Sequence, residues 1–201
     1  MAAGLAEPDR RVTIVEPKAT WPTEFEAIAV TIRKALGPIA LRIDHIGSTS
    51  VPGLPAKDVI DIQVTVAALE RERLGAALAQ AGLVDQGIGT DHRPPGATGP
   101  DDDWRKLLFK PATGRPVNVH VRVAGNPNQR YPLLFRDYLR AHPDAAAAYA
   151  RLKRGLAGSG HRPGRLQRRE RPSLRPDLHR GRGLGPAKRR DALIKMRIFT
   201  A

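Results

Sequence analysis

Residues 45–66 have the sequence HIGSTSVPGLPAKDVIDIQVTV, and the rest of the chain is organised around this stretch. It begins with a turn of small residues at positions 47–50 and continues through a segment whose prolines disfavour a long helix, because proline lacks an N–H and fixes φ. Residues 59–66, VIDIQVTV, are β-branched and almost continuously apolar, which predicts a buried strand. This strand carries Asp61, and a buried carboxylate is costly unless it is paired or binds a ligand.

A small-residue turn followed by an aspartate on a strand is one way to build a nucleotide site. Backbone N–H groups in such a turn can bind phosphate, and the carboxylate can hold a divalent cation. We therefore predict Asp61 as a catalytic residue and a ligand of Mg²⁺. The alternative is a carboxylate paired with Lys57 or Arg105. The turn residues predicted to bind phosphate are Gly47, Ser48, Thr49 and Ser50.

Two resemblances to known families arise at these residues. Residues 46–48 and 61–64 resemble, in their spacing, the DNA polymerase β-like nucleotidyltransferase superfamily, with Gln63 in place of that pattern's second acid. Residues 45–54 and 56–62 resemble the signature of the GrpB family more closely. Further matches to this family cover roughly residues 11–157, and they are Trp21-Pro22, residues 118–121, residues 135–140, and Tyr149 with Lys153.

The resemblance to the GrpB family implies an α/β (α+β) fold of the nucleotidyltransferase type, a mixed β-sheet flanked by helices. The family occurs alone or fused behind dephospho-CoA kinase, where its domain is thought to assist folding or stability of the kinase. The superfamily places a third carboxylate on a later strand, and the matching place here holds Asn118 or His120. We predict His120 as a second catalytic residue.

Four more residues are predicted to contact a phosphate or nucleotide. His45 precedes the turn and could line the pocket, and the alternative is that it is a histidine of the core. Lys57 precedes the Asp61 strand, and its alternative is a surface lysine. Arg136 could reach an anion or pair with Asp137. The four predicted contacts are His45, Lys57, Arg105 and Arg136.

The pattern along the chain predicts one domain over residues 11–158, after a disordered segment at 1–10. Apolar spacing predicts helices over 20–36, 68–81, 132–141 and 144–156. Strands are predicted over 40–46, 59–66, 104–110 and 117–123, with a short edge strand at 11–15 and a loop over 87–103. The alternation in VNVHVRV predicts one valine face and one polar face, in a hairpin with the preceding strand.

The net charge of +14 is concentrated in residues 159–201, which hold thirteen Lys or Arg and three Asp or Glu. This Arg/Pro/Gly-rich tail has no periodicity and lacks the apolar residues of a core. We hypothesise that it results from a frameshift or sequencing error. The alternative is a genuine basic tail, which would bind nucleic acid in a salt-dependent way.

Composition excludes several classes of protein. The chain has no cysteine, so it can form neither a disulfide nor a thiolate metal site. It contains no GxxxxGKS/T, GxSxG or HExxH motif. No stretch is apolar enough for a membrane span, which predicts a cytoplasmic protein with no membrane partner.

The leading functional prediction is a pocket for a nucleotide or phosphorylated small molecule, with nucleotidyltransferase-type activity. A mechanism with two Mg²⁺ ions needs two or three carboxylates. Because Gln63 and His120 stand at the other positions, Asp61 is the one carboxylate that this pattern provides. The first alternative is a non-catalytic accessory module for dephospho-CoA kinase. The second is nucleic-acid binding through the tail.

Overall fold

A computed structural model describes residues 13–93 and 97–158 of the 201-residue chain. The predictions for residues 1–10 and 159–201 lie outside the described residues. The helices and strands, in chain order, are α1 Trp21–Leu36, β1 Arg42–Ile46, β2 Ile60–Val66, α2 Arg71–Ala79, β3 Leu83–Thr90, β4 Arg105–Pro111, β5 Val117–Val123, α3 Pro127–Ala141 and α4 Pro143–Gly158.

The five strands form one mixed sheet in the order β1-β2-β5-β4-β3. Strands β2 and β5 pair in parallel, whereas β1–β2, β3–β4 and β4–β5 pair antiparallel. The predicted α+β class with a mixed sheet is confirmed, and so is the predicted hairpin of β4 and β5. The parallel contact places two strands side by side that are far apart in sequence.

One face of the sheet packs against α1 and α2. The alternation of β2 and β5 points Ile62, Val64 and Val119 into this core, where all three are fully buried. Helix α1 begins at Trp21 with Pro22 in its first turn, where the missing N–H costs little. Its buried residues recur at helical spacing, and they are Trp21, Phe25, Ile32 and Leu36.

The opposite face of the sheet is polar and lies beside α3 and α4. The predicted division of VNVHVRV is confirmed: Val117, Val119 and Val121 are buried on the core side, while Asn118 and His120 alternate with them. A second apolar cluster joins α3 and α4 to the segment after the turn, and it contains Val51, Leu54, Leu139, Tyr149 and Ala150. This cluster fixes α4 above one end of the polar face.

Two predictions of local structure are wrong. Residues 87–90 are not in a loop but continue β3, which has a register shift between Asp85 and Ile88. Helix α3 begins at Pro127 rather than at residue 132. Of the short edge strand predicted at 11–15, the structure describes residues 13–15, where Val15 forms a single antiparallel bridge with Ala56.

The register shift in β3 has a local cause. Gly87 adopts φ +98°, and its N–H donates to the Asp85 carboxylate at 2.6 Å. A residue in the left-handed region adds local twist and interrupts apolar alternation, as at a bulge.

Among the described residues, none of the helices has the length and apolarity needed to cross a membrane.

Candidate functional site

The turn after β1 is shaped by one glycine. Gly47 has φ +69° and ψ −170°, and Ser48–Ser50 form a single 3₁₀ turn. The Ser50 hydroxyl closes the turn by donating to the Gly47 carbonyl at 2.6 Å. A Cβ at position 47 would lie 2.5 Å from Oδ2 of Asp61. The turn and β2 therefore approach closely, and only glycine allows this distance.

The buried side of the turn is supported by a histidine and two hydroxyl groups. Thr49 donates to the Val59 carbonyl at 3.2 Å, so its oxygen accepts from Nε2 of His45 at 3.0 Å. The imidazole stacks on Phe25 at 4.7 Å. Burial lowers the pKa of His45 to about 4, which keeps the ring neutral. The side chains of His45, Thr49 and Ser50 therefore support the turn from inside, and ligand contact by these three residues stays a prediction.

Asp61 lies on the polar face beside Asn118, its neighbour in the parallel β2–β5 register. The Asn118 amide donates to Oδ1 of Asp61 at 2.8 Å. Nε2 of His120 lies 3.9 Å from the same oxygen. Burial lowers the pKa of His120 more strongly than Asp61 raises it, so the ring is neutral at pH 7. The structure thus brings together both residues predicted as catalytic, and it adds Asn118 to them.

Gln63 occupies the place of the superfamily's second acid, and both ends of its amide are engaged. Its NH₂ group donates to the carbonyl of Gln129 at 2.9 Å, and its oxygen accepts from Arg122 at 2.7 Å. Gln63 is fully buried. Arg122 also donates twice to Asp91, at 2.8 and 3.1 Å. This position therefore belongs to a buried polar network.

The Mg²⁺ prediction can be tested against the side chains that surround Asp61. Mg²⁺ prefers oxygen ligands, and a pair of ions needs several carboxylates. Asn118 turns its NH₂ group toward Asp61, and His120 offers only ring nitrogens. In the described part of the chain, no three His, Asp or Glu side chains are grouped to hold a metal. The site does not fit a pair of Mg²⁺ ions.

A lysine from α4 completes the site. Nζ of Lys153 donates to the Ser48 hydroxyl at 2.6 Å and to the Pro55 carbonyl at 3.0 Å. Burial lowers the pKa of Lys153 to about 8, with Asp61 raising it and Lys57 lowering it further. The ammonium group is still mostly charged at pH 7, and it lies at the accessible side of the turn.

Sequence reasoning did not include Lys153 among the site residues, although a signal was present. Tyr149 and Lys153 are four residues apart, so they share one face of a helix. In the structure both contact Ser48, which lies about a hundred residues earlier in the chain. The spacing indicated a common face of the helix, but it could not identify the partner of that face.

Arg136 lies behind the turn. Its Nη1 donates to the His45 carbonyl at 2.9 Å, and its Nε pairs with Asp137 at 2.7 Å. Arg140, one helical turn later, donates to the Ser50 carbonyl at 2.7 Å. The predicted pairing of Arg136 with Asp137 is therefore present, and both arginines bind backbone carbonyls that flank the turn.

Two other predicted cations lie in different places. Arg105 is on the face of β4 that carries Leu107 and Phe109, both part of the core below α1 and α2. Its exposed side chain pairs with Asp102 at 3.2 Å. The structure therefore does not bring Arg105 together with Asp61, and ligand contact by Arg105 stays a prediction. Lys57 is exposed and close enough to Lys153 to lower its pKa.

We call this assembly the polar-face site. It joins a hydroxyl, a carboxylate, two neutral polar side chains and an amine. Such a set can hold an anion against the amine and accept a hydroxyl proton at the carboxylate. The residues of the polar-face site are Ser48, Asp61, Asn118, His120 and Lys153.

Comparison with known proteins agrees with this architecture. The chain is 42% identical over 158 residues to a dephospho-CoA kinase of Mycolicibacterium paratuberculosis, in a match that covers 71% of this chain but only 39% of the kinase. It is 35% identical over 146 residues to UPF0157 protein BH1888 of Halalkalibacterium halodurans, covering 73% of this chain and 69% of that protein.

Structure and family comparisons lead to the same group. The crystal structure of conserved protein GrpB from Enterococcus faecalis matches with a TM-score of 0.60 at 30% identity, covering 73% of this chain and 84% of that one. The GrpB protein family matches residues 11–168. From these matches we conclude that the chain belongs to the GrpB family.

Proposed function

We propose that this protein binds a phosphorylated small molecule, such as a nucleotide, at the polar-face site. The observation that carries the proposal is the contact between Lys153 and Ser48, which places an amine at the accessible side of the turn. An ammonium group beside a hydroxyl is a suitable pair of donors for a phosphate oxygen.

The charges around the turn favour an anion. Lys57 and Lys153 lie on its accessible side, and Arg136 and Arg140 bind the carbonyls behind it. Within the polar-face site, Asp61 is the one acidic residue. The surplus of positive charge would attract phosphate and would be screened by salt.

Asp61 gives the proposed ligand a second requirement. Its carboxylate accepts a hydrogen bond from Asn118, which orients it, and its side chain remains 28% exposed. A carboxylate oxygen accepts hydrogen bonds from hydroxyl groups, such as those of a ribose. We therefore expect a ligand that carries a phosphate and a hydroxyl group a few atoms apart.

The proposed binding does not depend on Mg²⁺. Nucleotidyl transfer through two ions would need carboxylates at the places that Gln63 and His120 occupy. We therefore expect the cationic side chains to neutralise the phosphate. Turnover by this site would require a different mechanism from that of two-ion nucleotidyltransferases.

A thermal-shift measurement on the full chain tests this proposal. ADP, ATP and inorganic phosphate are added separately, with Mg²⁺ or with EDTA. A ligand at about a hundred times its dissociation constant stabilises by roughly 2.7 kcal/mol, which raises Tm by several degrees in a domain of this size. The shift should persist in EDTA and disappear in Lys153→Met.

The matched control is Lys110→Met, which removes an exposed lysine on β4. That variant should keep the full shift. Asp61→Ala should weaken the binding of ADP and ATP more than the binding of inorganic phosphate, because only the nucleotides carry a ribose. A cooperatively melting protein that shifts with none of the three probes would contradict the proposal.

A second candidate function is an accessory role toward dephospho-CoA kinase. Its support is that relatives of this name contain the matching region as 39% of their length. The described structure also has an open, mostly apolar groove beside the second apolar cluster. Arg140 contributes its one charged lining residue, and the others are Val51, Pro52, Gly53, Leu54, Leu139, Pro143, Ala146, Ala147 and Ala150. An apolar groove is a common docking surface for a partner protein.

Binding to a purified dephospho-CoA kinase, measured by calorimetry, tests the accessory role. Ala147→Arg places a charge in the groove and should weaken binding at least tenfold. Val30→Arg is the matched control, since Val30 is 68% exposed on α1, on the other side of the sheet. Equal affinity of both variants and the wild type would contradict docking in the groove.

Nucleic-acid binding by residues 159–201 stays a prediction.

A further inference from the structure

We propose that Ser48 is a nucleophile and that Lys153 is its general base, so that the polar-face site forms a covalent phosphoester on Ser48. The inference rests on the proposed function, because a bound phosphorylated ligand supplies the phosphorus atom that Ser48 attacks. It goes further by assigning a chemical step to two side chains that would otherwise only bind.

The three hydroxyl groups of the turn have different partners. Ser50 and Thr49 donate to backbone carbonyls at 2.6 and 3.2 Å, and both residues are buried. Ser48 is instead half-buried and lies 2.6 Å from Nζ of Lys153. A hydroxyl in contact with an amine and open to a ligand is the arrangement that an activated serine requires.

The amine is held in place from two sides. The Pro55 carbonyl accepts a second hydrogen bond from Nζ at 3.0 Å, and the Tyr149 ring lies 5.4 Å away. Tyr149 is buried, hydrogen-bonds Ser48, and is fixed by an edge-to-face contact with Phe135 at 5.4 Å. This support limits the motion of both reacting groups, as catalysis by a positioned base requires.

The protonation state of Lys153 suits a base near neutral pH. Burial lowers its pKa to about 8, and the facing charges act in opposite senses: Asp61 on β2 raises the pKa, while Lys57 lowers it. At pH 7 about a tenth of the amine is neutral, and the neutral fraction rises through pH 8. Activation of Ser48 should therefore increase with pH over this range.

The proposed step is balanced within the site. The Ser48 oxygen forms a bond to phosphorus while the bond from phosphorus to the leaving oxygen breaks. The serine proton moves to the neutral amine of Lys153, and the leaving oxygen departs with the electron pair. The oxygen of water or of an acceptor hydroxyl then bonds to phosphorus while the bond from phosphorus to the Ser48 oxygen breaks. The ammonium of Lys153 returns its proton to Ser48, and the proton of the attacking group leaves to solvent.

Diisopropyl fluorophosphate provides a direct chemical test. Its reaction with a serine forms the oxygen–phosphorus bond and releases fluoride, so it needs no natural ligand. The full-length protein is treated over pH 6–10, and the adduct is located by peptide mass spectrometry. We expect modification of Ser48 with an apparent pKa near that of Lys153, and no adduct at position 48 in Ser48→Ala.

Lys153→Arg separates the base from the anion contact. Arginine keeps the positive charge but does not lose its proton in this pH range. Modification should slow by about a hundredfold or more, while the thermal shift with ADP is retained. Lys57→Met should move the midpoint of the pH profile of Ser48 modification to higher pH. Lys110→Met should leave both the rate of modification and this midpoint unchanged. Circular dichroism melts confirm that each variant is folded.

The outcomes separate this inference from the proposed function. Equal rates for the wild type and Lys153→Arg, or no modification of Ser48 in the wild type, would overturn the nucleophile while nucleotide binding could still be measured. Modification of Ser48 with the expected pH profile, in a protein that no phosphorylated probe stabilises, would overturn the proposed function and leave the nucleophile supported.

Discussion

Replacement of Arg122 by methionine should lower the free energy of unfolding by about 3–5 kcal/mol, the usual cost of removing one partner from a buried ion pair. Arg122 is 4% exposed. Its guanidinium binds both oxygens of Asp91 and the side-chain oxygen of Gln63. Methionine has a similar length but no donors, so it leaves both partners without these bonds.

Urea unfolding at pH 7 measures the effect. The matched control is Arg71→Met, which breaks a 2.7 Å pair with Asp85 in which the arginine is half exposed. Such surface pairs contribute under about 1 kcal/mol. A loss of similar size in both variants would show that the network of Arg122 is not worth more than a surface pair.

The same network makes an acid-dependent contribution that the variant should lose in part, because Lys106 still pairs with Asp91. The pKa of Asp91 is about 2, because the guanidinium of Arg122 and the ammonium of Lys106 outweigh burial. A carboxyl with a lowered pKa stabilises the fold above its unfolded pKa of about 3.9, and this contribution disappears as the pH falls toward 2. Stability of Arg122→Met should therefore depend less on pH between 4 and 2.

Replacement of Gly47 by alanine should abolish the polar-face site and lower the free energy of unfolding by about 2 kcal/mol or more. The backbone at φ +69° and ψ −170° is a conformation that essentially only glycine adopts, and another residue costs roughly 1–3 kcal/mol there. The new Cβ would also lie 2.5 Å from Oδ2 of Asp61. Either β2 or the turn must move, which separates Ser48 from Lys153.

Gly53→Ala is the matched control for this substitution. Gly53 has φ +73°, but a Cβ there would meet no atom within 4 Å. It therefore reports the strain of a positive φ without any contact with Asp61, and Gly47→Ala should be the more destabilising of the two. Unfolding in urea and the thermal shift with ADP measure stability and binding. If Gly47→Ala retains ligand binding, the close approach is not needed for the site.

Local patterns predicted the fold better than they predicted the site. The strand at Val117–Val123 and its two faces follow directly from alternation, since each residue reports its own burial. The same alternation placed His120 on the polar face of its strand, and the pairing of β2 with β5 brings Asp61 beside it. No strand was predicted at Leu83–Thr90, because Gly87 and Gly89 remove part of the apolar signal that identifies a strand.

The positions of Arg105 and Lys153 relative to the site depend on contacts between distant parts of the chain. Arg105 lies on the face opposite His120 because of the register of β4, and composition gave no indication of that register. Lys153 reaches Ser48 only because α4 packs on the segment after the turn. These outcomes are set by tertiary packing, which a single sequence does not specify residue by residue.

The parallel pairing of β2 with β5 also affects how the protein is made. On the ribosome, Asp61 is synthesised well before its partner Asn118 and before Lys153. At the usual elongation rates of 5–20 residues per second, about 5–20 s separate Asp61 from Lys153. During this interval the nascent chain carries the turn and the carboxylate without the groups that neutralise and orient them. A premature stop before β5 thus yields a chain in which one edge of β2 is open to other partners, and any stop before α4 yields a chain without the polar-face site.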